Sequence, residues 1–326
     1  MSRHALRSFF LLFALFGASV AHAQFGNVQV LSVSISPEYP RPYETITVTP
    51  DSSYIDMSSS VVTVSVNGVP VERGTGVQSV PVTVGGPGAK TVISVSAVTG
   101  GQTYTQAITV RPSDVALVVE PVSTTHPFYL GAPLVASEGR MRVIALADLR
   151  TSTNTRLNPN SLVYTWKFGD QILQDQSGIG RSILTAVAPV RYRDAQITLT
   201  VASPDSAEVA QASTLISPVD PVMLVYQSDP LLGPLFDNAL TGSFAMNGSE
   251  SSFKAVGYYF ATLPTFNWTM NSTPQGSDAD ITVRSSGAGT GQATLGISAN
   301  DVARLQSAEN SLVVQFGSKS ANLFGF

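Results

Sequence analysis

Alternation of apolar and small polar residues with a period of two runs along most of this chain. Val61-Val62-Thr63-Val64-Ser65-Val66, Thr91-Val92-Ile93-Ser94-Val95-Ser96-Ala97-Val98 and Gln196-Ile197-Thr198-Leu199-Thr200-Val201 place β-branched residues on one side and Ser or Thr on the other. Successive side chains of a strand point to opposite faces, so each run suits a sheet with one dry and one wet face. Asn67-Gly68, Pro87-Gly88, Gly100-Gly101 and Ser177-Gly178 punctuate the runs as turns. Helical periodicity is confined to Asn300–Ser307, where a turn or two with Asn300 as N-cap is expected. The class is all-β.

The alternation also repeats at long range. Trp166 and Trp268 stand 102 residues apart, and one further step back lands on Val64. Some 25–30 residues after each comes another alternating strand, at Ile93–Ala97, Ile197–Val201 and Ala293–Ile297. A period near 100 residues fits three immunoglobulin-like β-sandwiches in tandem, with Val64, Trp166 and Trp268 at equivalent interior positions. Each unit opens with a strand that meets a proline or a kink before its second strand: Val33–Pro37 then Ile46–Val48, Leu117–Pro121 then Met141–Ile144, Val222–Tyr226 then Phe253–Val256. The expected division is a signal peptide at 1–23, then domains at 24–112, 113–219 and 220–326. Short proline-marked linkers at Arg111-Pro112-Ser113 and Pro218–Pro221 predict an elongated rod on the order of 100 Å.

Arg3 and Arg7, an apolar run from Phe9 to Ala21 and the small-residue site Ala21-His22-Ala23 read as a secretory signal. The run is shorter than the ~20 residues of a spanning helix, which favours cleavage over an uncleaved anchor. Removing residues 1–23 leaves 16 Lys and Arg against 22 Asp and Glu, a formal charge of −6. Such a surface is unsuited to nucleic acid, which selects clustered cations. With no cysteine there is no disulfide, no thiolate metal site and no lipidated cysteine, so each sandwich must rest on its apolar core. Only 12% of residues are charged, and Ser, Thr, Gly, Asn and Gln cover the surface instead.

Tyr164-Thr165-Trp166-Lys167-Phe168-Gly169-Asp170 resembles the Tyr-x-Trp-x-Phe-Gly-Asp-Gly signature of PKD domains, an immunoglobulin-like module common on microbial surface proteins. The match covers one strand and turn of the middle domain and departs at Lys167 and Gln171. More loosely, the chain resembles uncharacterised exported bacterial proteins with tandem Ig-like, PKD-like domains. Ser177-Gly178-Ile179-Gly180 and Asp229-Pro230-Leu231-Leu232-Gly233 carry that likeness. It implies the fold and export, and no mechanism.

Residues able to do chemistry are sparse. His126 is the one histidine after the signal, precedes Pro127, and has neither a Gly-x-Ser-x-Gly elbow nor a second imidazole to work with. A solvent-facing or capping role is expected. Gly85–Thr91 imitates a phosphate loop but carries Ala89 before Lys90, and Gly287–Gly291 likewise runs into a strand. Without a helix N-terminus to present, both are expected to be hairpin turns. Asp170 with Asp175, and Asp278 with Asp280, are read as turn residues, with calcium or catalysis as lesser alternatives. The tryptophans with Tyr164 and Phe266 are read as core, not as a sugar platform. Asn247, Asn267 and Asn271 head coincidental glycosylation sequons, and Phe324-Gly325-Phe326 reads as a strand tail.

These features point to a non-enzymatic structural and interaction protein of the bacterial surface or periplasm, without cofactors. Its expected partners are other envelope or pilus proteins within an adhesion apparatus. The alternatives are a glycan-binding module, using Tyr258, Tyr259 or the Asp170 turn, and a secreted hydrolase.

Overall fold

The alternating runs become strands, and the strands pair into six sheets stacked two by two. A computed structural model describes residues 30–287 and 289–317. The expected signal segment and Phe324–Phe326 lie outside the described residues.

In the first sandwich β1 (Ser32–Ser36), β2 (Thr45–Asp51) and β5 (Val80–Thr83) form one sheet. The facing sheet runs β4 (Val69–Thr75), β3 (Val61–Val66), β6 (Thr91–Thr99), β7 (Gln102–Val110). In the second, β13 (Ile183–Val187), β9 (Arg140–Asp148) and β8 (Asp114–Val122) face β11 (Gln171–Ile172), β10 (Val163–Phe168), β14 (Ala195–Ala202) and β15 (Val209–Ile216), with β12 (Gly178–Ile179) also against β10. In the third, β17 (Gly233–Leu240), β16 (Val222–Asp229), β19 (Glu250–Tyr258) and β22 (Asp280–Arg284) face β18 (Ser243–Ala245), β24 (Gln306–Phe316), β23 (Gly291–Asp301), β20 (Thr265–Met270) and β21 (Thr273–Gly276). The chain is thus all-β, three immunoglobulin-like sandwiches in tandem, each closed over its own apolar core.

The 102-residue period survives at atomic detail. Val64 pairs with Val95, Trp166 with Leu199 and Trp268 with Ile297, and all three lattice residues are fully buried. Burying an indole requires a partner for its N–H. Trp166 Nε1 donates to the Arg181 carbonyl and Trp268 Nε1 to that of Asp278, both at 2.9 Å, so the same bond recurs in two domains. The turn after the lattice strand repeats too. Asn67, Gly169 and Asn271, each 102 residues from the next, have positive φ and donate their amides to Val92, Gln196 and Thr294. Asp170 occupies the second position of that turn, in solvent.

Several expectations are corrected. Asn300–Ser307 is not helical: Asn300 lies in β23 and pairs with Thr265 and Ser307, leaving one 3-10 turn at Val302–Arg304. Backbone pairing with two neighbours outweighs a weak local signal there. The glycine-rich segments are not hairpin turns. Residues 84–90 cross from β5 to β6, and Gly287 and Gly289 lie between β22 and β23, each pair of strands lying in opposite sheets. In the third domain Val222–Tyr226 does not pass straight to the second strand. β17 folds back against β16, and β18 joins β24 in parallel, before β19 begins.

Candidate functional site

The ends of the domains meet in a regular way. Loop and linker residues of successive sandwiches make the contacts. At the first junction Gly88 donates its amide to Pro112, Arg41 faces Asp114 at 3.6 Å, and Arg111 reaches the buried Glu208 at 3.5 Å. Gly88 has φ +70, and a Cβ there would sit 2.6 Å from the Thr151 carbonyl oxygen, so the close approach requires glycine.

The second junction is larger and aromatic. Residues 123–139, between β8 and β9, form a finger laid on the outer face of the third sandwich. Thr124 ties it down with four hydrogen bonds. Its amide donates to the Phe260 carbonyl at 3.0 Å, and its own carbonyl accepts from Tyr259 at 2.8 Å. Its hydroxyl donates to Gly257 at 2.6 Å and accepts from the Phe260 amide at 3.0 Å. At the finger's return, Val135 accepts from the Val219 amide, and the buried Gln306 side chain spans Ser137 and Ala261.

The landing surface follows from strand alternation. Met223, Val225, Phe253 and Ala255 enter the core, so Leu224, Tyr226, Val256 and Tyr258 face outward, forming a second cluster with Tyr129, Phe236, Ala239 and Tyr259. Phe236 comes from β17, the strand not foreseen in the sequence, which widens the sheet to receive the finger.

His126 stacks on Phe236 with centroids 4.4 Å apart and a 14° interplanar angle, while Tyr129, Tyr226 and Tyr258 meet it edge-on at 5.3–6.3 Å. The expected solvent-facing or capping histidine is therefore a half-buried member of an aromatic nest. Apart from Tyr129, the rings that enclose it come from the following domain, 100 residues or more further along, which local sequence does not reveal.

Of the sequence-proposed contact residues, Tyr258 is 4% exposed and its hydroxyl lies 2.7 Å from that of Tyr226. Tyr259 is half-buried, 3.3 Å from the Tyr129 hydroxyl. Asp170 lies on a separate domain edge, so the structure does not bring it together with the two tyrosines. Burial, then the Tyr226 hydrogen bond, drives the Tyr258 phenol well above its usual range. The Tyr129 hydrogen bond, then burial, pushes Tyr259 up to about 12. These phenols hold their protons more tightly folded than unfolded. Their contribution is complete below pH ~10; that of Tyr259 is lost as pH rises through about 12 and that of Tyr258 higher still. Tyrosinate absorbance during alkaline titration should show late-ionising phenols, and Tyr129→Phe should bring Tyr259 back toward the ordinary range.

Asp278 serves through its backbone, and Asp280 pairs with Lys254 Nζ at 2.7 Å. Asp175 contacts Gln176. Among the described residues no three His, Asp or Glu side chains converge as a metal site would require, and no helix is long and apolar enough to cross a membrane.

Searched against protein-family models, the chain matches none, and no curated protein matches its sequence. Solved structures similar to it are arrays of small β-sandwiches. The three N-terminal domains of the bacteriophage RB49 Highly Immunogenic Outer Capsid protein share 13% identity, over 88% of this chain and 98% of that one, with a TM-score of 0.27. Sidekick-1 immunoglobulin domains 1–5 share 10% over 85% and 56%, TM-score 0.32. The central fibronectin-III array of RIM-binding protein shares 11% over 89% and 97%, TM-score 0.30. The fold assignment itself rests on this chain's own strand pairing: three tandem immunoglobulin-like sandwiches.

Proposed function

We propose that this chain is an exported, non-enzymatic structural and interaction protein of the bacterial surface or periplasm, built to hold sandwich edges and loops at fixed spacing for other envelope or pilus proteins. The observation that carries this reading is the second junction. A hinge meant to bend would be sparsely bonded, whereas here Thr124, Gln306 and the aromatic nest tie two domains together at several separated points. The finger packs His126 and Tyr129, both half-buried, against the third domain yet turns Phe128 and Leu130 outward, 95% and 102% exposed. Apolar side chains held out on a fixed support suit contact with another macromolecule.

Cell fractionation with crosslinking of the tagged protein tests the proposal. The expected result is recovery in the envelope or periplasm, joined to one or a few discrete proteins. Recovery as a free monomer under every crosslinking condition would overturn it. The glycan reading loses Tyr258, whose ring is enclosed by the finger.

A further inference from the structure

The three domains share a feature whose differences are informative: the strand at the outer edge of the smaller or front sheet. β5, β13 and β22 each pair on one side only, with β2, β9 and β19. Their registers align through equivalent closing bonds, from Val84 to Glu44, Ala188 to Gly139 and Ser285 to Ser249. Amides and carbonyls alternate in direction along a strand, so the positions one, three and five before these donors face away from the sheet. The outward rows read Ser79-Pro81-Thr83 in the first domain, Ile183-Thr185-Val187 in the second and Asp280-Thr282-Arg284 in the third.

Exposed edges invite pairing by another chain, and proline or charge prevents it. The first domain has Pro81 at the middle outward position, with no N–H to offer. The third has Asp280 and Arg284 at the flanks, bound to Lys254 and Glu250. The second has neither. Ile183 and Val187 are 46% and 57% exposed, and the Thr185 amide has only the Gln176 side chain, at a long 3.4 Å. Beside this edge lies a groove of about 240 Å³, walled by Phe168, Leu173, Ala186 and Val187 and rimmed by Asp175 and Gln176.

We propose that the outer edge of β13 is a docking site for an extended, uncharged segment of a partner protein. The segment adds as a strand and sets an apolar side chain in the adjoining groove. This rests on the interaction role proposed above and names its surface. Backbone hydrogen bonds supply the pairing, and the groove selects Val, Ile or Leu at alternate positions. A second copy of β13 does not fit this groove. Its inward-facing residues, Leu184 and Ala186, are already packed against their own core.

The probe is a fluorescein-labelled heptapeptide, Thr-Val-Thr-Val-Thr-Val-Thr, with a control carrying proline at its centre. Titrated into the full exported chain, the first should bind and the control should not. Hydrogen exchange at Ile183 and Val187 should slow by about tenfold or more in the complex. Thr185→Pro installs the first domain's residue at the same register, and I183D/V187R installs the third domain's charges. Each should weaken binding by about tenfold or more while circular dichroism stays unchanged, whereas Thr282→Pro should leave affinity intact. The site is overturned if the wild-type chain ignores the peptide, if both edge variants bind it equally well, or if protection appears elsewhere. Envelope crosslinks that persist unchanged in I183D/V187R would overturn this site while leaving the interaction role standing; absence of crosslinks in the wild type would instead remove that role.

Discussion

Trp166→Ala is expected to destabilise the middle sandwich by about 3–5 kcal/mol. The indole is fully buried among Met141, Val143, Leu184 and Leu199 in one core, and its removal leaves both a cavity and the Arg181 carbonyl without its donor. A domain of this size has only ~5–15 kcal/mol of stability in total, so the loss brings it close to unfolding. The transition it shares with the third domain should fall by roughly 6–20 °C, at ~2–4 °C per kcal/mol for a cooperative unit of that size. Trp166→Phe should cost less, since the ring volume is largely kept and the main loss is one hydrogen bond, about 1 kcal/mol with a further penalty for the orphaned carbonyl. Calorimetry of the whole chain, following the transition that contains the middle domain, would check this. A shift below ~1 kcal/mol in Trp166→Ala would mean the lattice tryptophan is not a core element.

The second large effect is at the finger. Domains two and three of the native chain should unfold in a single transition, because the aromatic nest and the Thr124 bonds belong to both. Tyr258→Ala removes the ring against which His126, Tyr129 and Tyr259 pack, and strands the Tyr226 hydroxyl. The loss should approach the ~3–5 kcal/mol of other buried aromatic truncations and split the joint transition in two. Thr124→Val keeps the side-chain shape but leaves the Gly257 carbonyl and the Phe260 amide without a partner, at about 1–3 kcal/mol. Gly257 itself is required, since a Cβ there would lie 2.8 Å from the Phe260 ring. If both variants melt as the parent does, the finger is resting on the third domain without being fastened to it, and the case for a fixed strut falls.

Much of the fold was legible because its signals are local or periodic. Val64, Trp166 and Trp268 could be matched from spacing, as a sandwich repeats its core position once per domain. The turn at Asn67-Gly68 could be read from two residues whose φ values, +51 and +84, are those such a pair favours. His126 was misread because nothing within ten residues of it indicates Phe236 or Tyr226. The glycine-rich segments were misread for a related reason. A turn that reverses a strand within one sheet and a loop that crosses to the facing sheet call for the same residues, and only pairing distinguishes them.

Composition and alternation alone therefore determined an all-β chain of repeated sandwiches without covalent staples, since which side of a strand is apolar is written in every second residue. Tertiary structure alone decided that β17 widens one sheet, that a finger from one domain covers it, and that β13 is left at an edge without proline or charge. The finger in particular depends on hydrogen bonds between residues as far as 136 and 169 positions apart. The energy of such contacts resides in neither partner by itself, so neither stretch of sequence announces them.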